Sequence, residues 1–258
     1  MGSAAEDNFE SSMSLLKWAG DDIHRLQRSV DRFFDHNPIE QVTDLDPEAG
    51  TYAHKIRITK RPPVTWRRLT FRIICDLRHC IDQAMYAAVQ TVLGTAPAED
   101  IYFPWAKNPT DLTHRRKKIP DVLWPTLSNL EPYKRGDDYT GGDDTIYAIR
   151  NAAGPNKHRI AVKPEARPTN FKFKGTAEGN WRIPYDGWDS DKQEFTIIKN
   201  LPSGAKRNYE CEFAFNIAFG DIEGLSGKPV LPILDHFGRY TEFVINSLLN
   251  DSEKIAGL

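Results

Sequence analysis

WRRLTFRIICDLRHCIDQAMYAAVQTVL, Trp66 to Leu93, decides the fold of this chain. At about 100° per residue, Ile73, Ile74, Leu77, Cys80, Ile81, Ala84, Met85, Ala88 and Val92 share one broad face. The stretch therefore reads as a buried helix, stopped by Gly94 and Pro97. On nearly the opposite side, within a stripe roughly 80° wide, lie Arg72, Asp76, His79, Gln83 and Tyr86. A surface helix ordinarily scatters Lys and Glu there. A cation, an acid, an imidazole, an amide and a phenol in successive turns mark a candidate site instead.

Outward from this helix the periodicity stays helical on the N-terminal side. Leu16, Ala19, Ile23, Leu26, Val30 and Phe33 recur at steps of three and four, predicting an amphipathic helix over Ser11 to Phe34 that packs on the central one. Asn37 to Gly50, with Pro38, Pro47 and several acids, reads as a loop, and Tyr52 to Lys60 as a strand ended by Pro62 and Pro63. After the central helix come an aromatic loop (Ile101 to Pro109), a basic cluster (His114 to Lys118) and a short helix (Pro120 to Leu130). An aspartate-rich loop (Gly136 to Asp144) precedes a helical piece over Ile146 to Ala152. The period then changes from 3.6 to 2, with Phe171 and Phe173, Phe195 and Ile197, and Tyr209 to Phe219 as strands. Trp181 and Trp188 fall among turn residues. Ile233, Phe237, Tyr240, Val244 and Leu248 mark a closing helix, with Asn250 to Leu258 expected to fray.

The pattern implies an α+β fold: an N-terminal helical bundle, an antiparallel sheet in the second half and a C-terminal helix. Residues 1–152 form the mainly helical part and 153–258 the sheet and closing helix, as two parts or as one continuous domain.

Composition bounds the class. With 258 residues and 40% hydrophobic content the chain can bury an ordinary core. No window approaches the roughly 18 apolar residues of a membrane span, and the first 20 residues lack a basic start and an apolar signal core, so a cytoplasmic protein off the membrane is expected. Cys75, Cys80 and Cys211 make no metal-ligand spacing and read as reduced thiols. The net charge of −2 hides a local asymmetry. Between Ala49 and Cys75 lie Lys55, Arg57, Lys60, Arg61, Arg67, Arg68 and Arg72 without an acid, which is either an anion-facing strip or a solvated surface balanced elsewhere.

Two readings of the central seam stay open. Arg72 and His79 stand two turns apart on one face with Asp76 between them. A histidine can exchange a proton with an RNA 2′-hydroxyl while a guanidinium stabilises charge on the phosphorane, so cleavage there needs neither a metal nor a cofactor. The same groups also suit a hydrogen-bond network locking one helix to another; in that case Asp76→Ala costs roughly 3–5 kcal/mol. Asp137, Asp138, Asp143 and Asp144 lack the alternation of a calcium loop and rank behind both.

The spacing Arg72-x6-His79 resembles the R-x4-6-H signature of the HEPN superfamily. That resemblance implies a helical domain that dimerises and cuts RNA without metal. DLRHCIDQAMYA (Asp76 to Ala87), IYFP (Ile101 to Pro104), LEPY (Leu130 to Tyr133) and NKHR (Asn156 to Arg159) together resemble a widespread family of functionally uncharacterised bacterial proteins. In that family the helix reads L-R-x-x-L-D-H and the later motif D-K-H-R. Leu77, Arg78, Asp82, Lys157, His158 and Arg159 match, while Gln83 replaces the helix histidine. The seam and the two resemblances together give Arg72, Asp76, His79 and His158 as catalytic candidates and Arg78, Gln83, Tyr86, Lys157 and Arg159 as binding ones. The functional expectation is a HEPN-like endoribonuclease or RNA-binding toxin or defence protein, acting as a homodimer. The alternative is a non-enzymatic binding or scaffold protein.

Overall fold

The computed structural model describes residues 4–46, 49–154, 164–177, 187–189, 191–204, 207–220 and 222–258. The central stretch is helix α2, Val64–Leu93, and α1, Ala4–Asp35, lies along it. α1 begins a full two turns before Ser11, because Ala5, Phe9 and Ser12, all buried, continue the same three-and-four spacing backwards. The predicted face of α2 is buried from Ile73 to Ala88, and Trp66, Ala87 and Val89 extend it around the helix. The extra width follows from its neighbours: α1 packs on one side and the closing helix, α6 (Val230–Ala256), on another. Full burial of each large apolar side chain stabilises by about 1.5–3 kcal/mol. Packing, rather than the modest helix propensity of the Thr and Ile residues here, therefore holds α2. Gly94, in the left-handed conformation at φ 70°, ends it.

Asn37 to Gly50 is not a loop. It holds strand β1, Ile39–Asp46, paired antiparallel with β2, Thr51–Ile58, from Ile39 opposite Ile58 to Asp46 opposite Thr51. β1 is an edge strand with no buried side chain except at its approach, so it carries no clean apolar alternation. Its backbone ladder and Asp44, bonded by Lys55 Nζ at 2.7 Å, fix it instead.

After α2 come short helices α3 (Pro109–His114) and α4 (Trp124–Leu130), then α5 (Asp144–Ala153). Pro125 sits in the first turn of α4, where its missing N–H costs nothing, so it starts this helix rather than breaking it. The second half contributes β3 (Pro164–Ala177), β4 (Trp188–Asp189), β5 (Glu194–Leu201) and β6 (Arg207–Phe219). β3 and β6 form a two-stranded antiparallel ribbon, and the larger sheet runs β1-β2-β5-β4.

The fold is α+β, with one correction to the expected layout: half of the larger sheet comes from the first half of the chain. Ile56 of β2 packs with Ile197, Ile198 and Leu201 of β5 in a small core of its own. β6 ends in the helical core through Ile217 and Phe219. α6 does not fray from Asn250: Ser252 is buried, Asp251 accepts the Thr126 hydroxyl at 2.8 Å, and left-handed Gly257 ends the helix. Among the described residues no helix is long and apolar enough to cross a membrane.

Candidate functional site

Four polar contacts tie α1 to α2 along their length. Asn8 donates to the Thr91 hydroxyl at 3.0 Å and the Ser11 hydroxyl to Gln83 Oε1 at 3.0 Å. Arg72 Nε lies 3.2 Å from Asp22 Oδ2, and the Trp66 indole donates to Ser29 at 2.8 Å. Residue numbers rise along α1 as they fall along α2, as an antiparallel pair requires. Two of the five seam residues, Arg72 and Gln83, are therefore engaged in helix packing.

Arg72 also reaches Asp76, Nε to Oδ2 at 3.4 Å, but the deeply buried acid is Asp22, 3% exposed and held on its other oxygen by Arg25 at 2.9 Å. Asp22 lies three residues from Ala19 and four from Leu26, at the edge of the apolar stripe of α1. A carboxylate in that position was the sequence signal for this partner.

His79 is exposed and lines a groove of about 280 Å³ with Asp82, Gln83, Tyr86, Asp100, Ile101 and Tyr102. Arg72 is not among the residues of this groove, so the structure does not place Arg72 and His79 in one cleft. The lining carries two carboxylates and no arginine or lysine, a poor setting for phosphorane charge.

The other register of α2 gathers more. Asp82 Oδ1 accepts the Phe103 amide at 3.1 Å and the Trp105 indole N–H at 2.7 Å. Arg78 lies 4.0 Å from Asp82 through Nε, and its guanidinium sits 5.5 Å from the Trp105 ring centroid. The Ala106 amide donates to the Pro132 carbonyl, and Arg150 Nη1 to the Ala106 carbonyl at 3.4 Å. α5 ends at Gly154, where an added Cβ would lie 3.9 Å from Arg78 Nη1. Thus the α2 motif, the aromatic loop, the LEPY segment and the helix leading to NKHR converge on one corner. Lys157, His158 and Arg159 lie outside the described residues, as does Trp181.

The electrostatics of this corner are set by burial. Desolvation pushes the Asp82 carboxyl above its usual range, against the Trp105 N–H and Arg78, which favour its charge. Desolvation, then repulsion from Arg115 and more weakly from Arg78, holds the Arg150 guanidinium below its usual range, with Asp111 opposing. Arg78 and Arg115 thus each lie by a carboxylate, Asp82 and Asp111, and the charges of both arginines bear on Arg150. Arg115 belongs to the basic cluster already visible at His114 to Lys118, whereas Arg150 was not singled out; its signal was its place on the helix that leads into NKHR.

Elsewhere the candidates have structural work. Asp143 caps α5 by accepting the Thr145 and Ile146 amides and also accepts the Tyr240 hydroxyl at 2.6 Å, while Asp144 accepts the Arg135 amide. Among the described residues no group of three or more His, Cys, Asp and Glu is placed to hold a metal. In the two basic stretches, Lys55 and Arg57 bracket buried Glu194, and Arg116 and Lys118 pair with Asp121 and Glu99. Burial pushes the Cys80 thiol up to about 12. Iodoacetamide at pH 8 is therefore expected to leave Cys80 unmodified in the folded protein and to label it in urea, read by peptide mass; native labelling would contradict this packing. No family model, curated protein or solved structure matches the chain.

Proposed function

We propose that this is a binding protein for a phosphate-bearing ligand, with single-stranded RNA the class to test first, and that its site is the Arg78–Arg115–Arg150 corner. The observation that supports this reading is Arg78 packed on the Trp105 ring beside Arg150, which bonds the adjacent Ala106 carbonyl and already feels the positive charge of Arg115 and Arg78. An anion relieves that repulsion, and a partly buried guanidinium fork suits phosphate. The commitment of Arg72 and Gln83 to α1 argues against a nuclease built on Arg72 and His79.

Each phosphate contact to a single strand contributes about 0.7 to the slope of log affinity against log salt. Replacing Arg78, Arg115 and Arg150 together by Ala is expected to lower that slope by about 2 in anisotropy titrations with a labelled RNA oligonucleotide. An unchanged slope and affinity would sink the proposal.

A second reading keeps the HEPN-like, metal-free ribonuclease and its homodimer, moved to this corner with His158 as the proton-transfer group. It is favoured by α5 ending beside Arg78, immediately before the NKHR segment. It predicts RNA cleavage in chelator that His158→Ala abolishes and His79→Ala leaves intact. RNA bound but uncut at any protein concentration leaves the binding reading standing and removes the nuclease.

A further inference from the structure

A separate cleft of about 410 Å³ opens between α5, the turn at 222–229 and α6. Its volume falls in the range of small-molecule sites, roughly 300–1,000 Å³. Ala148, Leu225, Ile233 and Phe237 give it an apolar floor. Its rigidity comes from both sides. Asp143, capping α5, accepts the Tyr240 hydroxyl of α6 and so pins the start of one wall to the other. The turn is closed by backbone bonds from Leu225 and Ser226 to the Ile222 carbonyl and from Lys228 to the Leu225 carbonyl.

The charges at the mouth are unequal in what they have left to bind. Lys134 pairs with Glu223 at 3.1 Å and lies over the Tyr147 ring, and Asn151 also donates to Glu223. Asp144 accepts the Arg135 amide and sits in the first turn of α5, where the helix dipole offsets its charge. The Thr145 hydroxyl and His236 Nε2 are 3.2 Å apart and satisfy each other. Lys228 lines the same cleft and makes no ion pair among the described residues. An apolar floor with an ammonium at its rim that no described carboxylate holds is complementary to a small organic anion.

We propose that this cleft binds a small monocarboxylate with an apolar body, its carboxylate on Lys228 and its body on Leu225, Ile233 and Phe237. The chemistry is independent of the Arg78 corner, so the two proposals fail separately. The test is calorimetric titration of the full chain with three probes of one skeleton: 3-phenylpropionate, phenylalanine and 2-phenylethylamine. The expected order of affinity is anion, then zwitterion, then cation. Lys228→Ala is expected to weaken 3-phenylpropionate roughly tenfold, as loss of one charge-assisted hydrogen bond does, and Lys228→Arg to retain it. Any of three results overturns the proposal: no binding of 3-phenylpropionate up to its solubility, an amine or zwitterion that binds more tightly, or an affinity unmoved in Lys228→Ala. Lys228 is exposed and its backbone bonds survive substitution, so loss of folding is not expected to obscure the result.

Discussion

Asp82→Ala is expected to destabilise the protein by about 3–5 kcal/mol, in the range of a broken buried charge network. The carboxylate is the acceptor for two buried donors, the Phe103 amide and the Trp105 indole N–H, and Trp105 is only 4% exposed. Each donor left without an acceptor costs about 1–3 kcal/mol, and the half-buried Arg78 loses its counter-charge. Asp82→Asn keeps an oxygen able to accept both bonds and sheds a charge that burial disfavours, so at neutral pH it is expected to cost less than about 1 kcal/mol. Denaturant melts distinguish the two substitutions. Equal, small effects would show that the aromatic loop is not held by this residue.

The same group predicts a pH signature. Burial raises the Asp82 value in the folded state, so the native protein holds this proton more tightly than the unfolded chain does. Its contribution to stability is therefore fully present below the ordinary value of 3.8 and is lost as pH rises through the folded value. Asp82→Asn cannot titrate. The stability difference between wild type and Asp82→Asn should change across the acid window above pH 3.8 and become constant at higher pH.

How legible this site was depends on which side of α2 is considered. The apolar face and both flanking helices followed from spacing, because helix burial is a local, periodic signal. β1 escaped, because an exposed edge strand is held by its ladder with β2 and by Asp44–Lys55, neither of which needs apolar alternation. The seam was visible as a row of polar groups, but the sequence of α2 does not say what faces it. Asp22, Ser11 and Ser29 belong to another helix, and only antiparallel docking brings them to Arg72, Gln83 and Trp66. Conversely, Arg78 and Asp82 stood out only as matches to a family pattern, which does not say what they touch. Their importance comes from Trp105, Arg150 and Gly154, which are distant in sequence. Long-range pairing is where a single sequence carries least information.

The role of Arg72 can be separated from function by its partner. Asp22 is buried, whereas Arg25 and Arg72 are more than half in solvent, so each cation alone is worth about 1 kcal/mol or less. Removing both is a different matter, because a carboxylate that is 3% exposed in the folded protein then has neither partner. The Arg25→Ala/Arg72→Ala pair is therefore expected to cost about 3–5 kcal/mol, far more than the sum of the single changes. Adding Asp22→Asn should restore most of the loss, since the uncompensated charge rather than the missing side-chain contacts is what destabilises. If the triple variant is no more stable than the double, the arginines act through packing instead. RNA titrations on the same proteins complete the argument: a structural counter-ion changes the melting of the protein and leaves the salt slope of binding where it was. A slope that falls in Arg72→Ala, with stability intact, would return Arg72 to the ligand and α2's seam to the chemistry.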